Sequence, residues 1–136
     1  MTREARTTVD KVDLKLKRKE NLAELFTTLS KEEAPILVEG KRDREALILG
    51  GIRAERITML HGKSRLDIVE SERLASSKEV IMLLDYDAEG LKMLDEFKMI
   101  FSQGGVRVNT WYWSKIREIF GGHIDCIENL RGYFNA

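Results

Sequence analysis

The sequence predicts an α/β protein, a Rossmann-like parallel sheet of four strands with helices on both faces. Three observations carry this expectation. Short apolar runs bounded by charge recur at 36–39, 57–60, 80–84 and 106–111. The run at 80–84 is apolar throughout, as in a strand buried on both faces. Segments with helical apolar spacing separate the runs, and strands alternating with helices imply right-handed crossovers and parallel pairing.

A chain of 136 residues fits one domain with its own core, and 43% apolar content is ordinary for a globular protein. No apolar run approaches the length of a membrane span, and Met1-Thr2-Arg3-Glu4-Ala5-Arg6 has no signal-peptide character. The single cysteine, Cys126, rules out an internal disulfide framework and fits a reducing, cytoplasmic setting. Lys plus Arg and Asp plus Glu both total 23, which argues against a protein that coats nucleic acid through bulk positive charge. The charge is uneven, however: residues 1–20 hold seven basic and four acidic side chains, and 85–97 hold five acids and one Lys. Dense charge with one Gln leans towards a thermophilic source.

Residues 1–34 lack Gly and Pro and predict a helical extension packed on a domain spanning 35–136. Leu22, Leu25, Phe26 and Leu29 form its apolar stripe. Val9, Val12 and Leu16 continue the pattern, but Lys17-Arg18-Lys19-Glu20-Asn21 interrupts it, so the first half is expected to be frayed or solvated. The basic cluster reads as a solvated face rather than a phosphate contact. Pro35 stops the helix and opens Ile36-Leu37-Val38-Glu39. Gly40 permits a tight turn into a helix over 43–49, closed by Gly50-Gly51. Strand two is Ile57-Thr58-Met59-Leu60, followed by the turn His61-Gly62-Lys63-Ser64 and a helix over 66–76. Strand three, 80–84, ends in Asp85-Tyr86-Asp87 before a helix over 88–103 with Leu91, Leu94, Phe97 and Phe101 on one side. Strand four, 106–111, leads into a helix over 114–120. A last amphipathic stretch carries Ile124, Ile127, Leu130 and Phe134.

Parallel strands all point one way, so Glu39, His61, Asp85 and Asp87 fall on the carboxyl edge of the sheet, where α/β proteins place their chemistry. Three carboxylates there repel one another unless they are protonated, hydrated or neutralised by a cation. Hard oxygen donors favour Mg²⁺ or Mn²⁺ over zinc. Gly40 lets the backbone approach a ligand, and Lys41 and Arg42 stand ready for a phosphate. Lys63 and Arg65 add cations at the end of strand two. A divalent metal on acids beside phosphate-binding groups suits phosphodiester chemistry.

Val38-Glu39-Gly40-Lys41-Arg42-Asp43, followed some forty residues later by Leu83-Leu84-Asp85-Tyr86-Asp87-Ala88-Glu89-Gly90, resembles the Toprim domain. That domain is shared by topoisomerases, bacterial-type primases, OLD-family nucleases, recombination-repair proteins and small ribosomal-RNA-maturing nucleases. The resemblance spans roughly 35–112, and the chain is similar in size and layout to stand-alone archaeal Toprim proteins. It implies a compact Rossmann-like sheet, Asp85 and Asp87 as a Mg²⁺-binding pair, and Glu39 as a metal ligand or general acid/base. It also implies nucleic acid, DNA or RNA, as the substrate, with protein partners in a processing complex conceivable. A topoisomerase is not expected, because none of Tyr86, Tyr112 and Tyr133 sits in a nucleophile motif. A complete primase would need further domains.

Blander readings stand beside these. Strand-end acids often cap helices, and Asp43 reads foremost as an N-cap. A favourable helix dipole accounts for Glu89. His61 reads as packing or a backbone hydrogen bond, Cys126 as a small core residue, and Trp111, Tyr112 and Trp113 as anchors for the C-terminal helices rather than base-stacking groups. An aspartyl-phosphate phosphatase needs its Asp-x-Asp on strand one, a receiver domain needs acids after strand one, and a mononucleotide-binding fold needs a Gly-rich first turn. The sequence meets none of these demands. The expected activity is therefore Mg²⁺-dependent chemistry on nucleic-acid phosphodiesters, of a nuclease or nucleotidyl-transfer type. The alternative is a non-catalytic binding or adaptor module within a larger complex.

Overall fold

The computed structural model describes residues 3–134. Four strands form one parallel sheet: β1 (Ile36–Val38), β2 (Ile57–Met59), β3 (Glu79–Met82) and β4 (Arg107–Asn109), in the order β2-β1-β3-β4. The helices are α1 (Arg3–Ser30), α2 (Lys41–Leu49), α3 (Arg65–Glu70), α4 (Glu72–Ala75), α5 (Ala88–Gln103), α6 (Trp111–Ile119) and α7 (Arg131–Phe134), with 3-10 turns at Ala54–Arg56 and Ile127–Leu130. The α/β class and the parallel sheet are as the sequence predicts. The chain moves from β1 out to β2, then crosses back over β1 to β3. Right-handed crossovers therefore put α2 on one face and α3, α4 and α5 on the other. The contact between α3 and α5 agrees with this. The direction of winding reverses between β1 and β3, and the crevice beyond their carboxyl ends is the place such a sheet offers to a ligand.

Ile36, Leu37, Val38, Val80, Ile81, Met82, Leu83 and Leu84 are all fully buried, as strands covered on both faces require. Leu22, Leu25, Phe26 and Leu29 of α1 join this same core, so the second half of the N-terminal helix belongs to the domain. The first half is solvated, as expected, and continues as a regular helix with Val12, Leu14 and Leu16 about half exposed. Val9 lies outside the residues whose side chains are described. The basic cluster is not wholly solvated. Arg18 donates to the carbonyl of Phe120 at the end of α6 (3.3 Å), and its guanidinium lies over the Phe120 ring.

Three elements differ from expectation. The helix predicted over 66–76 is two short helices, because Ser71 turns extended (ψ 130°) and its hydroxyl accepts from Leu74 N. The aromatic run does not extend strand four: Trp111 opens α6, and Tyr112 and Trp113 are buried in its first turn while Trp111 is half exposed. The last amphipathic stretch is a 3-10 turn and a single helical turn, approached through Gly121 and Gly122 at positive φ.

One buried cation holds the N-terminal helix in place. Arg56 is 2% exposed and donates to the carbonyls of Leu29 (2.8 Å) and Ala34 (3.0 and 3.1 Å), thereby pairing backbone acceptors left over where α1 ends and β1 begins.

Candidate functional site

The site is assembled from the ends of β1 and β3. Beyond the last residues of these strands, Leu83 N still bonds Leu37 O (2.9 Å), which keeps the two chains in register as they leave the sheet. Glu39 and Asp85 then meet: Asp85 N donates to Glu39 Oε2 over 2.6 Å. Burial pushes Asp85 up to about 7, with repulsion from Glu39 adding to the shift. Glu39 is raised as well, chiefly by burial, against the lowering effect of the Asp85 amide. Both carboxyl groups thus hold their protons to higher pH than free carboxylates do.

Asp87 is placed by the helix that follows. It is the N-cap of α5, and its Oδ1 accepts from Gly90 N (2.7 Å). Gly90 is required here by space: a Cβ on it would lie 2.2 Å from the Asp85 carbonyl oxygen and 3.1 Å from Asp87 Oδ1. Between the two acids, Tyr86 fixes the loop. Its hydroxyl donates to Trp113 O (2.7 Å), its ring stacks on the Trp113 indole at 4.7 Å, and Trp113 Nε1 donates to Leu84 O (2.9 Å). Trp113 of α6 thus anchors the acidic loop itself.

A fourth acid belongs to the site. Asp43 is not the N-cap expected of it: Gly40 holds that position, and Asp43, at N3 of α2, accepts from Gly40 N (3.1 Å) as the return bond of a capping box. It also accepts from Glu128 N (3.0 Å), while Ile127 N donates to Asp85 Oδ1 (3.2 Å). Asp43 is 7% exposed, and burial, then repulsion from Asp85, raises it to about 6. The segment around Ile127 and Glu128 had no marked role in the sequence, because backbone amides leave no signature there.

The remaining expected groups flank these acids. Lys41 and Arg42 are exposed at the opening of α2; Arg42 reaches Glu128 only at 3.9 Å. Lys63 is exposed beyond β2, and Arg65 is tied to Glu96 of α5 (2.6 Å). Gly40 is extended (φ −147°), so the turn does not demand glycine, and a Cβ there would come no closer than 4.0 Å to any neighbour. His61 is exposed rather than packed, with its amide on Glu39 O (2.9 Å). Cys126 is half-buried near the acids, not in the core; burial pushes its thiol up to about 11. Glu89 is exposed in the first turn of α5.

Among the described residues, no three or more His, Cys, Asp or Glu side chains are arranged to hold a metal ion by themselves. The acids do fit the smaller demand of Mg²⁺, which takes one or two carboxylates and completes its shell with water and phosphate oxygens. Each of Glu39, Asp85 and Asp87 has one carboxylate oxygen engaged by a backbone amide. A divalent cation there would offset the burial cost of these carboxylates and the repulsion between Asp85 and Glu39 that adds to it.

Relatives extend across most of the chain. A UPF0292 protein of Methanocaldococcus jannaschii is 38% identical over 109 residues, covering 76% of this chain and 80% of that protein. This chain belongs to the UPF0292 family. A Thermococcus kodakarensis member is 33% identical over 112 residues, 82% of this chain and 81% of the relative. Among solved structures, an Aquifex aeolicus protein matches with a TM-score of 0.65 at 30% identity, covering 78% of this chain and 94% of its own. No family model matches the chain. Among the described residues, no helix of this UPF0292 protein is long and apolar enough to cross a membrane.

Proposed function

We propose that this UPF0292 protein is a Toprim-type, Mg²⁺-dependent enzyme acting on nucleic-acid phosphodiesters. The observation that supports it best is the meeting of Glu39 and Asp85 across a 2.6 Å hydrogen bond, beside Asp87 and with Lys41 and Arg42 at the rim. Asp85 and Asp87 would hold the metal, which supplies charge neutralisation at the phosphate and an activated water or hydroxyl. Glu39 would complete the metal shell or move a proton; its raised affinity for one suits that task. Lys41, Arg42 and Lys63 would orient the phosphate, and Gly40 would leave room for it. The test is incubation with labelled single- and double-stranded DNA and RNA in Mg²⁺ or Mn²⁺. Cleavage or transfer lost in Asp85→Asn/Asp87→Asn supports the proposal; activity unchanged in that variant overturns it.

A second reading is an adaptor that binds nucleic acid or protein within a larger complex. It is favoured by the first half of α1, a regular helix with Val12, Leu14 and Leu16 about half exposed. Salt-dependent binding without turnover supports this reading, and robust turnover by the isolated chain refutes it.

A further inference from the structure

The acids stand between two clefts that share Gly40, Asp43 and His61. One, about 310 Å³, is bordered by charged residues, Lys41, Arg42 and Asp85 among them. The other, about 570 Å³, has a different character: Leu60, Met93 and Phe97 give it apolar walls, and Lys63 stands on its rim. Glu89, Met93 and Phe97 recur every four residues on α5 and so present one helix face to it. Phe97 is 1% exposed and belongs to the core, whereas Leu60 and Met93 are half-buried and open to a ligand. Arg65 is neutralised by Glu96, which leaves Lys63 as the cation of that rim.

We propose that the larger cleft is a nucleoside subsite, seating one unpaired base of the substrate while its phosphate lies at the acids. This rests on the phosphodiester reading above and adds the form of the substrate. The volume falls within the roughly 300–1,000 Å³ of small-molecule sites. An acid end, an apolar middle and a cationic rim match a metal-bound phosphate, a base and a further phosphate. A base stacked inside a duplex exposes only its edges and cannot enter such a cleft; an unpaired or flipped-out base can. The smaller cleft on the far side of the acids then takes the continuing backbone over Lys41 and Arg42.

The probes are AMP and ribose 5-phosphate, titrated calorimetrically into the full chain in Mg²⁺. AMP should bind roughly tenfold more tightly or better, as expected from removing a base-sized apolar area from water against Leu60 and Met93. Met93→Gln and Leu60→Gln should each weaken AMP towards the level of ribose 5-phosphate. If either variant fails to fold, amide NMR shifts of the wild-type chain on adding AMP give the same answer. Shifts at Leu60, Met93 and the residues around Lys63, in addition to those at the acids that ribose 5-phosphate also produces, support the subsite; AMP shifts that spare Leu60 and Met93 overturn it. Equal affinity for the two probes, no AMP binding, or a preference intact in both variants also overturns it. The two proposals fail separately. Mg²⁺-dependent cleavage without base discrimination removes only the subsite. Base discrimination without cleavage removes only the catalytic reading.

Discussion

Asp85 donates its backbone amide to the side chain of Glu39, 46 positions earlier in the chain, at 2.6 Å. The bond ties the ends of two adjacent strands and positions one acid by means of the other's main chain. An Asp85→Asn change therefore removes a charge without removing the bond that holds Glu39. It is the appropriate probe of charge at this site.

Metal linkage follows. The wild-type chain should gain about 2.7 kcal/mol of stability at Mg²⁺ a hundredfold above its dissociation constant. Asp85→Asn/Asp87→Asn should gain nothing. Thermal melts with and without Mg²⁺ measure both, and equal shifts in the two proteins would place the metal elsewhere.

The pH dependence has a definite sign. In EDTA, Asp85 and Asp43 titrate near 7 and 6 in the folded chain, against ordinary values of 3.8. Between those limits the folded state holds more protons than the unfolded state, so stability falls as pH rises from about 4 to about 7. Urea midpoints across that range should decline and then level off, and Asp85→Asn should flatten the curve. A midpoint rising over the same range would contradict the assignment.

Gly90→Ala should be costly despite its small size. Its Cβ would lie 2.2 Å from the Asp85 carbonyl oxygen, and that atom is backbone. Overpacking of this kind costs about 1–3 kcal/mol. The acidic loop must shift to relieve it, so Mg²⁺ affinity should fall together with the urea midpoint. A neutral Gly90→Ala would mean that the loop is softer than its Tyr86 and Trp113 anchors imply.

Tyr86→Phe separates those anchors. It keeps the ring stacked on Trp113 and deletes the hydroxyl that donates to Trp113 O. The expected loss is about 1 kcal/mol, that of one buried hydrogen bond, read from denaturant unfolding. Tyr86→Ala should cost several times as much.

Arg56→Met should destabilise the chain by on the order of 3 kcal/mol, because the carbonyls of Leu29 and Ala34 lose a charged donor inside the core. Hydrogen exchange should then speed up first in the second half of α1.

The sheet and the meeting of Glu39 with Asp85 were legible because both follow from local patterns. Apolar runs mark buried strands, and parallel pairing brings their ends to one edge. Asp43 was legible only as a cap, since Glu128, its other partner, lies 85 positions away and contributes a main-chain amide. Trp111 reads as the end of strand four because a bulky aromatic after Val106 and Val108 favours extended structure in isolation. Burial of Tyr112 and Trp113 in the first turn of α6, with Trp113 against the acidic loop, overrides that preference. Gly40 and Gly90 look alike in sequence; only the position of the Asp85 carbonyl distinguishes the replaceable glycine from the obligatory one.

The amides of Ile127 and Glu128 end on Asp85 and Asp43. Docking of that segment and the charge on those acids are consequently reciprocal quantities. An ion that fixes the carboxylates tightens the segment's hold on them, and a cut or slackening near Asp125 loosens the ion by the same free energy. Ligand affinity at the sheet edge is thus also a gauge of whether the distant 124–130 stretch has settled.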